Sequence, residues 1–194
     1  MSNLETPGGL PDNAYRELAE GERYQPIVPA DAKVPEITAR SIVFGLVMTA
    51  IFSAAAAYLA LKLGQGIESA IPIAILAIGY SAIAKRKSTL LENVNIVTLG
   101  ACAGIVVGGS TFTMPAIFIL GLEKQSSFWQ IFLVPLLGAI LGVLFLIPFR
   151  RYFVAEMHGK LPFPEATATT EILVAGGRGG RQALVLLSSM AVGF

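Results

Sequence analysis

Four long stretches without a single charged side chain constrain this chain more than any other feature: residues 41–61, 69–84, 93–122 and 125–149. A helix needs about 20 apolar residues to cross a bilayer, and in lipid its backbone polar groups must be satisfied within the segment. Charged residues make up 14% of the 194 positions, well below the roughly one quarter of a soluble domain. The pattern predicts an all-α integral membrane protein, multi-pass, with four to five helices. A further apolar run begins after Arg181 and reaches Phe194, so the chain is expected to stop inside an element.

Residues 1–36 are rich in Pro, Gly, Glu and Asp, which predicts a mostly irregular arm outside the membrane whose tail can pack against the bundle. Residues 37–194 are expected to form the transmembrane domain, with spans at about 37–63, 69–84, 91–122 and 127–149, a short helix at 164–175 and a truncated span at 182–194. Gly64-Gln65-Gly66 breaks the first span, and Lys62 can extend its amine to the interface. The second span is short for a crossing, so tilt, thinning or a discontinuous helix are all open, and its Pro72 suits a first turn. Trp129 marks an interfacial belt, and Pro148-Phe149-Arg150-Arg151 is expected to end the fourth span. With an even series of crossings, twelve of the 14 Lys and Arg fall on the side of the arm and only Lys62 and Lys124 on the other. The positive-inside bias therefore puts the N-terminus in the cytoplasm.

Two polar islands interrupt the apolar series. The first, 92–115, opens with Glu92, Asn93 and Asn95, runs through Gly100, Gly104 and Gly108, and closes with Gly109, Ser110, Thr111, Thr113 and Pro115. Lipid tolerates such groups only where they face protein or a water-filled cavity. The four-residue spacing of Gly100, Gly104 and Gly108, and of Gly138 and Gly142, supplies small faces for helix contact. Gly108-Gly109 followed by Pro115 predicts a break of the kind transporter helices show near a substrate site. In the second island, 160–181, Pro164 and Glu165 read as a helix start and Gly176-Gly177 as its stop, giving a re-entrant or interfacial helix.

Each candidate residue has a structural reading beside the functional one. Glu92 and Asn95 share a helix face, where a carboxyl could hold a substrate ammonium or a coupling proton; equally, Glu92 can be a first-turn acid complementing the helix start. Glu165 is a helix-start acid by the same logic, or a pathway residue. Glu171 is expected to pair with Arg178 or Arg181. Ser110, Thr111, Thr113, Thr167 and Thr169 offer hydroxyls to a permeant or to their own helix backbone. Cys102, the only cysteine, excludes an internal disulfide and suits packing. His158 has no ligand partner at metal spacing and is expected to be a solvated loop residue, so no metal site and no cofactor is predicted. GGRGG at 176–180 lacks the lysine and strand of a phosphate loop, and no basic tract suggests nucleic acid.

At the two islands the sequence acquires a likeness. ITARSIVFGLVMTAIFSAAAAYLALKLG, the ENVNIVTLG stretch with its following GG, FT and PA, and LPFPEATATTEILVAG resemble the prokaryotic branch of the oligopeptide transporter (OPT) superfamily, which includes the yellow-stripe-like metal-chelate transporters. The likeness covers about residues 24–194. Members of that family are much longer, so it implies an N-terminal portion of such a transporter. It further implies a bacterial inner membrane and proton-coupled uptake of oligopeptides, glutathione-like compounds or metal chelates, with protons as coupling ion, the lipid bilayer and remaining helices as partners, and a pathway role for Glu165. Two rival readings are an intramembrane enzyme using Glu92, Glu165 or His158, for which no nucleophile–base pair or ligand cluster appears, and an assembly subunit of a split transporter.

Overall fold

The computed structural model describes residues 10–84 and 87–177, together with Val185, Ser188, Ser189 and Val192. Every regular element among them is helical. A 3-10 turn at Asp12–Ala14 precedes α1 (Ala39–Leu63), α2 (Ala70–Ile83), α3 (Leu90–Thr113), α4 (Pro115–Ile119), α5 (Phe128–Arg151) and α6 (Pro164–Gly177). Among the described residues three stretches are long and apolar enough to cross a membrane: Ala39–Leu63, Leu90–Ile119 and Phe128–Glu156.

The long helices begin with the same device. Thr38, Thr89 and Ser127 cap α1, α3 and α5 through capping boxes closed by Ser41, Glu92 and Gln130, which satisfies backbone N–H groups that lipid could not. α1 stops at Gly64, whose φ of 70° places it in the left-handed region where only glycine is unstrained.

α1 and α3 run side by side in the same direction. Thr38 Oγ1 donates to Glu92 Oε1 at 2.8 Å near their starts, and Thr49 Oγ1 lies 2.8 Å from the Leu99 carbonyl further along. α2 returns in the opposite direction against α3, its Tyr80 ring stacked 4.3 Å from Phe44 of α1. α2 is apolar on every side, which suits a helix enclosed by others. Its Ile73, Ala74, Ala77 and Ile78 form the centre of the core with Met48 of α1, Ile96 and Val97 of α3, and Leu173 of α6. α5 has no buried residue, so its apolar surface is available to lipid or to further helices.

Several expectations need correcting. α3 continues as an unbroken helix through Gly108 and Gly109 to Thr113, and the interruption falls at Met114 and Pro115, where α4 begins. Met114 itself keeps helical dihedrals (φ −60°, ψ −36°), because Pro115 at a first-turn position forfeits only an N–H that lacks a partner there. α5 includes Pro135 and Pro148 and ends at Arg151, within the expected Pro148–Arg151 terminus, before a π-helical turn at Tyr152–Glu156. α6 extends two residues past the expected 164–175 to include Gly176 and Gly177, the expected stop; Gly177 is also the last residue described in that segment. The expected span at 182–194 falls outside the described residues apart from four isolated positions.

His158 is not a solvated loop residue. The arm folds back over it, setting its Nε2 2.8 Å from the Asn13 carbonyl oxygen and its ring 5.3 Å from that of Tyr24. Next to it Gly159 has φ +74°, and a side chain there would collide with the backbone of Arg16. Tyr15 donates its phenol hydrogen to Glu171; the expected partners of Glu171, Arg178 and Arg181, lie outside the described residues.

Candidate functional site

α2 and α6 are each 14 residues long, about 21 Å and too short for the roughly 30 Å of a bilayer's hydrocarbon core. They run in parallel and start at the same level. Their starts share one groove, and further along a Cβ on Gly176 would collide with the Ile78 side chain. The level of the start is set by α3: a Cβ on Gly104 would lie 2.7 Å from the Ile67 carbonyl oxygen and 3.4 Å from Ser69 Oγ. Gly104 is fourteen residues past Leu90 and fifteen short of Ile119, the ends of the long apolar stretch. Both half-length helices therefore begin near the middle of a membrane-length helix.

Between these starts and α3 lies an open groove of about 330 Å³, lined by Glu68, Ala70, Val94, Val97, Thr98, Glu165, Ala166, Thr169, Thr170 and Leu173. Glu68 precedes α2, and its Oε1 accepts from the Ala70 N–H at 2.9 Å. Glu165 is the first-turn acid of α6, favoured there by the helix dipole. The three threonines are committed to their own helices: Thr98 Oγ1 donates to Val94 O at 2.9 Å, Thr169 to Glu165 O and Thr170 to Ala166 O, both at 2.7 Å. Their lone pairs remain available as acceptors. Ser69, between the groove residues Glu68 and Ala70, is 1% exposed, and its Oγ has no hydrogen-bond partner among the described residues.

Of the residues singled out from sequence, Glu165 and Thr169 meet in this groove. Glu92 does not reach it. It is 1% exposed and sits at the start of α3, where its carboxylate accepts from Thr38 Oγ1 and, at 2.9 Å, from the Thr89 N–H. Asn95 is half-buried on α3, with Oδ1 unpartnered among the described residues, as is Oδ1 of fully buried Asn93. Ser110, Thr111 and Thr113 occupy the last turn of α3 away from the groove, and Thr113 Oγ1 bonds back to Gly109 O at 2.8 Å. Gly100 and Gly104 face Ile73 and the loop before α2, whereas nothing among the described residues lies within 4 Å of a Cβ placed on Gly108, Gly109, Gly138 or Gly142. Pro115 opens α4.

Sequence reasoning missed Glu68, Gly45 and Gly176. A carboxylate directly before a short apolar helix is a signal for Glu68. Gly45 abuts Leu99, where a Cβ would approach to 2.7 Å, and the four-residue series Ser41, Gly45, Thr49, Ser53 and Ala57 is the signal that could have found it. Among the described residues no three His, Cys, Asp or Glu side chains gather at metal-binding distance.

A family profile described as OPT oligopeptide transporter protein matches residues 36–194. A Haemophilus influenzae protein named "Putative oligopeptide transporter" is 38% identical over 119 residues, which is 61% of this chain and 18% of that protein. The chain thus spans under a fifth of the length of the curated relative it matches. No solved structure matches it significantly.

Proposed function

The chain belongs to the OPT oligopeptide transporter family, and from that premise we propose that it forms part of the substrate pathway of a proton-coupled secondary transporter for oligopeptides in a bacterial inner membrane, with its N-terminus cytoplasmic. The observation that supports this reading best is the shared start of α2 and α6 near the middle of α3, with Glu68 and Glu165 at the lip of one groove. Half-length helices beginning at mid-depth are how secondary transporters bring polar groups to a substrate without exposing backbone to lipid. Carboxylates at that depth are costly unless they face water or partners, so Glu68 and Glu165 suit a permeant path better than a lipid-facing surface.

Glu165 and Thr169 keep the pathway role the sequence suggested, Glu68 joins them, and Glu92 serves as the cap of α3. A carboxyl in a water-filled groove can take a proton from one side and release it to the other, and differential binding of substrate in the two orientations then biases the exchange. The supporting experiment is uptake of labelled di- to tetrapeptides by vesicles containing the full chain, with and without an inward pH gradient. Accumulation that follows the gradient supports the reading. Uptake of no peptide under either condition refutes it, and peptide uptake indifferent to the gradient refutes the proton coupling alone.

A further inference from the structure

The side chains of the groove form a hydrogen-bond acceptor surface. Among the described residues its ionisable groups are Glu68 and Glu165, and no Lys, Arg or His lines it. Its three hydroxyl protons, on Thr98, Thr169 and Thr170, are already donated to backbone carbonyls. What remains on offer is carboxylate oxygen and hydroxyl lone pairs above an apolar floor that includes Val97 and Leu173. The unpartnered Oγ of Ser69, buried between two groove residues, adds a hydroxyl able to turn a lone pair toward an incoming N–H. A ligand satisfying such a surface must bring donors and positive charge to one end and apolar bulk to the other. A carboxylate would meet two like charges, and the donors it would find are backbone N–H groups in the first turn of α6, where Glu165 already supplies the negative charge.

We propose that this groove binds the free α-ammonium end of the transported peptide, with Glu165 and Glu68 as its counter-charges and the apolar floor receiving the first side chain. This rests on the transport reading above and deepens it. It also gives the two carboxylates a shared electrostatic role. One ammonium and one proton together balance two carboxylates, so the loaded groove carries no net charge at mid-depth, where charge is most costly. The loaded form is then the one able to change orientation, which couples proton and peptide without requiring them to touch.

The test compares a free-amine tripeptide with its N-acetylated form as competitors of labelled peptide uptake in vesicles containing the full chain. A charge-assisted hydrogen bond corresponds to about tenfold or more in affinity, so the acetylated peptide is expected to compete at least about tenfold less well. Glu165→Gln and Glu68→Gln are each expected to shrink that difference. Should either variant lose uptake, the same two peptides are compared by their thermal-shift stabilisation of the purified full-length variant, where the preference for the free amine must again fall. Equal competition by the acetylated peptide overturns the proposal while leaving peptide transport intact, as does an undiminished free-amine preference in both variants. Absence of any peptide uptake would instead be a failure of the transport reading.

Discussion

Thr38 Oγ1 donates to Glu92 Oε1 at 2.8 Å across 54 residues of sequence, joining the starts of α1 and α3. The same carboxylate accepts from the Thr89 N–H at 2.9 Å, so one side chain both closes a capping box and ties two helices together. Glu92→Ala removes both bonds in a site that is 1% exposed. The expected loss is about 2 kcal/mol, roughly one for the cap and one for the interhelical bond. Glu92→Gln keeps an acceptor at the capping position and is expected to lose less. Thermal unfolding of the full chain in detergent checks the order, and the Thr38→Ala/Glu92→Ala double mutant should lose clearly less than the sum of its parts. Additive losses would show that the two residues do not act together.

The glycines of α3 are expected to divide into two kinds. At Gly104 a new Cβ would lie 2.7 Å from the backbone carbonyl of Ile67. That carbonyl cannot rotate away without moving the start of α2. Gly104→Ala should therefore cost about 1–3 kcal/mol, as overpacking does, and should also weaken transport by displacing Glu68. At Gly108 nothing among the described residues lies within 4 Å. There Gly108→Ala should stabilise the helix by up to about 1 kcal/mol through propensity alone. Thermal stability of the two variants distinguishes them, and equal effects would contradict the different surroundings of the two positions.

This contrast also marks what was legible in the sequence. Gly100, Gly104 and Gly108 follow one four-residue spacing, and that spacing identified a small face without saying how far a neighbour extends along it. The shorter stretch at 69–84 left open whether it crosses, whereas the long apolar helices α1, α3 and α5 were readable because absence of charge over twenty residues is a property of the segment alone. So was the start of α6, since Pro164 and Glu165 act within one turn. Glu68 was not, because its importance comes from α6, almost a hundred residues later, arriving beside it. His158 was misread for a related reason: the arm that covers it has no periodicity to announce where it docks. The end of α5 at Arg151 was legible too, because the Pro148–Arg151 run marks it locally.

Gly176 should prove as restrictive as Gly104. Its missing Cβ leaves the space taken by the Ile78 side chain, both residues being buried where α6 meets α2. Gly176→Ala is expected to push the two half-helices apart at a cost of about 1–3 kcal/mol. Ile78→Ala should cost about 2–5 kcal/mol on its own by opening a cavity. Combined, the new methyl enters the space vacated by Ile78, so the double mutant should be more stable than the sum of the single effects predicts, by at least about 0.5 kcal/mol. Unfolding midpoints of the three variants measure the coupling, and its absence would mean that these helices do not touch in the native protein.

The bond from Tyr15 to Glu171 attaches the N-terminal arm to α6 on a position exposed to solvent, and it should be visible in the titration of the phenol. The hydrogen bond to Glu171, and then desolvation and the nearby negative charges, hold the Tyr15 phenol above its ordinary value of 10.0. A group whose folded pKa is raised contributes fully below its unfolded pKa and loses that contribution as pH rises through the folded value. Arm docking is therefore expected to be intact at neutral pH and to weaken only above about pH 10. Absorbance at 295 nm, with Tyr15→Phe subtracted to isolate one tyrosine among five, reads the phenol directly. Glu171→Gln removes the carboxylate and should move the Tyr15 titration back toward the ordinary range. At neutral pH, Tyr15→Phe deletes the bond outright, so trypsin should cut at exposed Arg23 faster than in the parent chain. An unchanged cutting rate would leave the arm held by Asn13, Tyr24 and the Gly159 contact alone, because those three reach the 158–159 turn without passing through α6.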